Sequence, residues 1–181
     1  VEKKMSKKIL NLAYIAMGAA LIAICAWITI PIGPVPFTMQ TFAVITIAGL
    51  LGWKRGVASV FVYIALGALG APVFSGFGGG IGVLAGVTGG YIVGFIFTAL
   101  IVGLVADRFK GILPLALSML GGILCCYAFG TIWFMIVYTR STGAIGLVSI
   151  LSKCVFPYIL PDLIKIALGI LLTKRLRKYI K

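Results

Sequence analysis

Two ionisable residues stand inside an apolar run near the C-terminus. The run reads Pro157-Tyr158-Ile159-Leu160-Pro161-Asp162-Leu163-Ile164-Lys165. Asp162 and Lys165 are spaced i,i+3, which puts them on one face of a helix. A carboxylate accepts N–H donors, and an ammonium supplies three of its own. Such a pair can bind a small polar head group, or it can lock a helix bundle from within. Lys174 marks the basic end of the run, and a helix rises about 1.5 Å per residue, so Lys165 lies roughly 13 Å and Asp162 roughly 18 Å into it. A bilayer core is about 30 Å thick, so both would sit near the midplane, where an ionisable group points to function. Pro161 suits the first turn of a helix. It predicts a broken last span whose second half starts beside Asp162.

Two other segments carry unusual residues. Pro31-Ile32-Gly33-Pro34-Val35-Pro36-Phe37-Thr38-Met39-Gln40 holds three of the seven prolines. No regular helix runs through it. It is either a stiff connector or the wall of a pocket, with Thr38 and Gln40 as hydrogen-bonding groups. Residues 70–91 read GAPVFSGFGGGIGVLAGVTGGY, with nine glycines and the aromatics Phe74, Phe77 and Tyr91 interleaved. Glycine lets backbone approach a ligand closely. It also lets helices pack closely, and that reading competes from Gly86 onward.

Absences exclude whole classes of chemistry. The chain has no His, and its acids are Glu2, Asp107 and Asp162. A His-based triad, a His-ligated metal and a carboxylate cluster are all excluded, so Ser75 has no base to make it a nucleophile. No phosphate-cradling GxxxxGK[ST] is present. Cys25, Cys125, Cys126 and Cys154 lie in apolar surroundings and read as small buried hydrophobes. No catalytic residue, metal or cofactor is expected.

These residues need a scaffold, and composition names it. Of 181 residues 62% are hydrophobic and 10% charged, against about 25% charged in a soluble domain. The expectation is an all-α integral membrane protein in one domain over residues 1–181. Apolar stretches over 9–29, 37–53, 56–71, 87–106, 112–138 and 144–173 predict six transmembrane helices. Lys54-Arg55 separates the second from the third, because charges at mid-span would be costly. Residues 1–4 precede Met5 and are expected to be a cloning remnant or an alternative start.

Under this arrangement thirteen Lys and Arg fall on one side: 3, 4, 7, 8, 54, 55, 108, 110, 174, 175, 177, 178 and 181. Arg140 and Lys153 fall on the other side. The positive-inside rule then places both termini in the cytoplasm, with loops 1–2 and 3–4 outside, covering a substrate pocket. The same split accounts for the net charge of +13 without nucleic acid. In the first span, Ala16 with Ala20 and Ala19 with Ala23 form overlapping AxxxA strips. Small residues one turn apart suit close contact with a partner helix, or packing within the bundle.

IPIGPVPFTMQTFAV, the Gly-rich stretch and PDLIKIALG, in that order, resemble the BioY family. Its members are the biotin-specific substrate-binding (S) components of energy-coupling-factor (ECF) transporters. The resemblance covers nearly the whole chain. It implies capture of biotin from outside a prokaryotic cell membrane. It also implies partners: a transmembrane coupling protein and two cytoplasmic ATPase subunits. The family's Asp-x-x-Lys pair falls on Asp162 and Lys165. Its G-P-T-G-G-Y motif falls on Gly86-Val87-Thr88-Gly89-Gly90-Tyr91, with valine in place of proline. The expected substrate-binding set is thus Asp162, Lys165, Tyr91, Thr88, Gly89, Gly90, Phe77, Phe74, Thr38 and Gln40. Ala16, Ala20, Ala19 and Ala23 resemble the docking strip for the coupling protein. The alternatives are an S component for another small vitamin and a membrane scaffold.

Overall fold

The computed structural model describes residues 2–143 and 146–180, with side chains for 6–140, 143 and 146–180. Lys3, Lys4 and Lys181, which enter the charge split above, and Glu2 lie outside the described side chains. Helix α1 spans Glu2–Trp27. A ribbon follows, pairing β1 (Thr29–Ile30) antiparallel to β2 (Phe37–Thr38). Helix α2 is Gln40–Ala68, and α3 is the short Ile81–Ala85. Helices α4 (Gly89–Arg108) and α5 (Ile112–Thr142) are long. The short α6 (Leu147–Cys154) precedes α7 (Phe156–Ile180). Among the described residues five helices are long and apolar enough to cross a membrane: Ser6–Trp27, Gln40–Ala68, Gly89–Arg108, Ile112–Arg140 and Phe156–Ile180.

Helix α2 is not straight. Gly52 breaks it with φ 79° and ψ 178°, a backbone that glycine adopts without steric cost. The chain reverses there. Gln40 Nε2 donates to the Tyr63 hydroxyl, although a straight helix would hold these residues about 35 Å apart. A Cβ built on Gly56 would lie 2.9 Å from the Ala48 Cα, again a contact that only a hairpin makes. The residues 40–51 and 53–68 are thus antiparallel arms, and Lys54-Arg55 follows the turn. The sequence placed the separation at the charged pair; the turn itself is made two residues earlier by glycine.

The first arm runs parallel to α7. Cβ atoms built on Gly49 and Gly169 would meet Thr173 Oγ1 at 3.0 Å and Thr46 Oγ1 at 3.2 Å. The C-terminal half of α7 therefore lies along residues 45–49. At one end of the bundle the Trp53 amide donates to Asp107 Oδ2 at 3.0 Å, and Arg177 donates to the Ala106 carbonyl. Arg55 lies over the Tyr14 ring, 5.4 Å from its centroid. At the opposite end Trp27 Nε1 donates to the Pro72 carbonyl at 2.8 Å.

The expected break beside Asp162 is corrected. Helix α7 runs through Pro161, and the break falls at Val155, with φ −127° and ψ −58°. Pro161 forfeits only one intrahelical bond, close to the helix start, so the helix survives it. The expected stretch 144–173 is accordingly two helices.

Candidate functional site

Asp162 and Lys165 sit on the inward face of α7, each 4% exposed. They form an ion pair, with Lys165 Nζ 2.7 Å from Asp162 Oδ1. Lys165 also donates to the Thr38 carbonyl at 2.7 Å and to Thr41 Oγ1 at 3.0 Å. The Phe37 ring lies beneath the ammonium, 4.2 Å to its centroid. These contacts use all three ammonium donors. Thr41 Oγ1 in turn donates to Asp162 Oδ1 at 3.2 Å, and the Tyr127 hydroxyl donates to Oδ2. A carboxylate has about four acceptor positions, and three are taken. The remaining capacity lies on the Oδ2 side. The site can therefore accept a further N–H donor at Asp162, while Lys165 fixes the carboxylate and balances its charge.

Local sequence explains how the first loop reaches this pair. Prolines 31, 34 and 36 keep the connection out of a helix, and the ribbon returns Thr38 to the start of α2. Thr38 Oγ1 donates to Gln40 Oε1 at 3.0 Å, and Gln40 continues the chain of bonds to Tyr63. The Tyr158 hydroxyl holds the Val35 carbonyl. The Gly-rich connection is tied to the first by Thr29 Oγ1 and Ser75 Oγ, 3.0 Å apart.

Together these elements enclose a cavity of about 150 Å³. Its polar lining includes Asp162, Lys165, Thr38, Gln40, Thr41 and Tyr127, and its apolar and aromatic lining includes Phe74, Tyr91, Ile92 and Phe95. Thr88 and Tyr158 also line it. A mainly apolar enclosure with a few convergent polar groups suits a small amphiphilic molecule.

Of the residues named from sequence, Asp162, Lys165, Thr38, Gln40, Phe74, Thr88 and Tyr91 line this cavity. Phe77, Gly89 and Gly90 are absent from its lining. Phe77 is 63% exposed and stacks on Trp27, centroids 5.2 Å apart. Gly89 lies against the Leu84 carbonyl and Gly90 against Trp133, so both serve close packing. Thr41, Tyr127, Tyr158, Cys126 and Cys154 were missed by the sequence reading and line the cavity. The two alanine strips separate: Ala19 and Ala23 are buried in the core, whereas Ala16 and Ala20 are exposed.

Comparison with known proteins adds to this geometry. A family profile described as the BioY family matches residues 2–181. A protein of Thermotoga maritima named biotin transporter BioY is 41% identical over 161 residues, 88% of this chain and 90% of its own length. A probable biotin transporter BioY of Pyrococcus horikoshii is 36% identical over 167 residues, covering 92% and 96%. A crystal structure of the S-component for biotin from an ECF-type ABC transporter superposes with a TM-score of 0.84 and 32% identity, covering 96% of this chain and 93% of that one.

Proposed function

The chain belongs to the BioY family, and from that membership we propose that it captures biotin outside a prokaryotic cell and delivers it across the membrane as the S component of an ECF transporter. The observation that carries the reading is the buried Asp162–Lys165 pair in a cavity whose other walls are largely apolar and aromatic, with a few hydroxyl and amide groups. Biotin has a ureido ring with two N–H donors and a carbonyl, an apolar fused ring system and a carboxylate tail. The free acceptor capacity of Asp162 suits a ureido N–H. The apolar walls suit the ring system. Lys165 meets either the ureido carbonyl or the carboxylate by exchanging one of its present partners.

The two arms of α2, counted as separate passes, bring the helices to six. The basic end then faces the cytoplasm by the positive-inside rule, with both termini, and the cavity faces outward. The chain carries no reaction of its own. Two ATPase subunits acting through a transmembrane coupling protein supply the energy, and the exposed Ala16–Ala20 strip meets the coupling protein. Ala19 and Ala23 are buried, which leaves the outer strip for docking. The reading is tested by retention of labelled biotin on the purified chain, with unlabelled vitamins as competitors. Displacement by biotin alone is expected. Displacement by another vitamin at lower concentration would make the chain an S component for that vitamin.

A further inference from the structure

A second cavity, of about 320 Å³, opens at the basic end of the bundle and shares no lining residue with the Asp162 site. Four cations line it: Lys110, Lys174, Arg177 and Lys178. Asp107 lines it too, but its Oδ2 already accepts the Trp53 amide at 3.0 Å. Arg177 is pinned by its bond to the Ala106 carbonyl at the end of α4. Its Nε is buried and, among the described residues, has no hydrogen-bond partner. Ile112, Leu115 and Ile170 give it an apolar part to its lining. Beside it on α5, Leu113 and Leu117 are 69% and 59% exposed, a face that belongs in hydrocarbon.

We infer that this cavity binds the phosphate head group of an anionic phospholipid, its acyl chains lying along α5. The inference rests on the membrane reading above, which puts Lys174 at the boundary where head groups lie. Basic pockets between membrane helices on the cytoplasmic side bind such head groups. A free inorganic anion would use the cations and leave the apolar lining idle. A phospholipid uses both.

The test compares phosphatidylglycerol with phosphatidylcholine retained on the full-length detergent-purified chain, by native mass spectrometry. The variant is Lys110→Gln with Lys178→Gln, two exposed lysines of the cavity. The control is Lys7→Gln with Lys8→Gln, which removes the same charge at the same end outside the cavity. Each lysine near an anionic lipid is worth severalfold in affinity. The cavity variant is therefore expected to lose about tenfold or more of the preference for phosphatidylglycerol. The control should keep it, and the matching Lys→Arg pair should restore it. Millimolar inorganic phosphate should not displace the lipid. Equal loss in the control overturns the inference in favour of diffuse charge. Displacement by phosphate overturns it in favour of a free-anion site. Unchanged lipid retention with lost uptake in the assembled transporter overturns it in favour of a partner surface. Biotin binding, measured on each sample, reports the outer site separately, so its failure would count against the proposed function and leave the lipid result standing.

Discussion

Replacing Asp162 by Asn keeps the side chain's shape and removes its charge. Lys165 then retains the Thr38 carbonyl and Thr41 Oγ1, but it stays only 4% exposed with no counter-charge. Breaking a buried pair from one side costs about 3–5 kcal/mol. At about 2–4 °C per kcal/mol for a chain of this size, Tm should fall by about 6–20 °C. Biotin loses a charged acceptor, worth about 1.5–3 kcal/mol, which weakens Kd by about ten- to 150-fold. Thermal unfolding and calorimetric titration of the same sample read both effects. The double variant Asp162→Asn with Lys165→Met separates stability from recognition. Neutralising both partners is close to neutral for stability, so most of the lost Tm should return while biotin binding stays weak. The reasoning is refuted if the single variant binds biotin within about threefold of the wild type, or if the double variant is no more stable than the single.

Tyr127→Phe removes one donor from Asp162 and loosens the aim of its carboxylate; biotin binding should weaken by about two- to twelvefold, from a bond worth about 0.5–1.5 kcal/mol, and an unchanged Kd would make the phenol incidental. Enlarging the exposed Ala16 and Ala20 to Leu should cut ATP-driven uptake by the assembled transporter at least about tenfold while the solitary chain binds biotin as before, since contact of small residues is what lets helices approach; loss of binding by the solitary chain would instead make the strip internal packing. Gly52→Ala forces a side chain onto φ 79° with the Asp107 carboxylate already in the space. It should cost about 1–3 kcal/mol of stability with little change in biotin affinity, and an unaltered Tm would contradict the hairpin.

The pair at Asp162 and Lys165 was legible because charge inside an apolar run is rare and expensive. The reversal within α2 was legible for the same reason, through Lys54-Arg55. What escaped were contacts that depend on helix rotation. Tyr127 sits in an apolar stretch of α5, and nothing local shows that its hydroxyl faces Asp162. Periodicity could not choose between the Ala16 and Ala19 strips, because alanine is acceptable on either a buried or an exposed face. The break at Val155 is signalled by Pro157, two residues on, which cannot continue a helix from α6; Pro161, a breaker of the same type, lies close enough to the start of α7 to be tolerated. The sequence neighbours of Phe77 suggest a pocket wall; the turn at Ser75–Phe77 instead carries it outward onto Trp27.

The central claim is that this chain alone binds biotin in the cavity above Asp162 and Lys165. Calorimetric titration of the detergent-purified chain with biotin, after exhaustive removal of co-purified ligand, tests it most directly. The account predicts saturable binding at one biotin per chain, abolished or strongly weakened in the Asp162→Asn variant. Folded protein that takes up no biotin, or that binds it equally well without the Asp162 carboxylate, would contradict it.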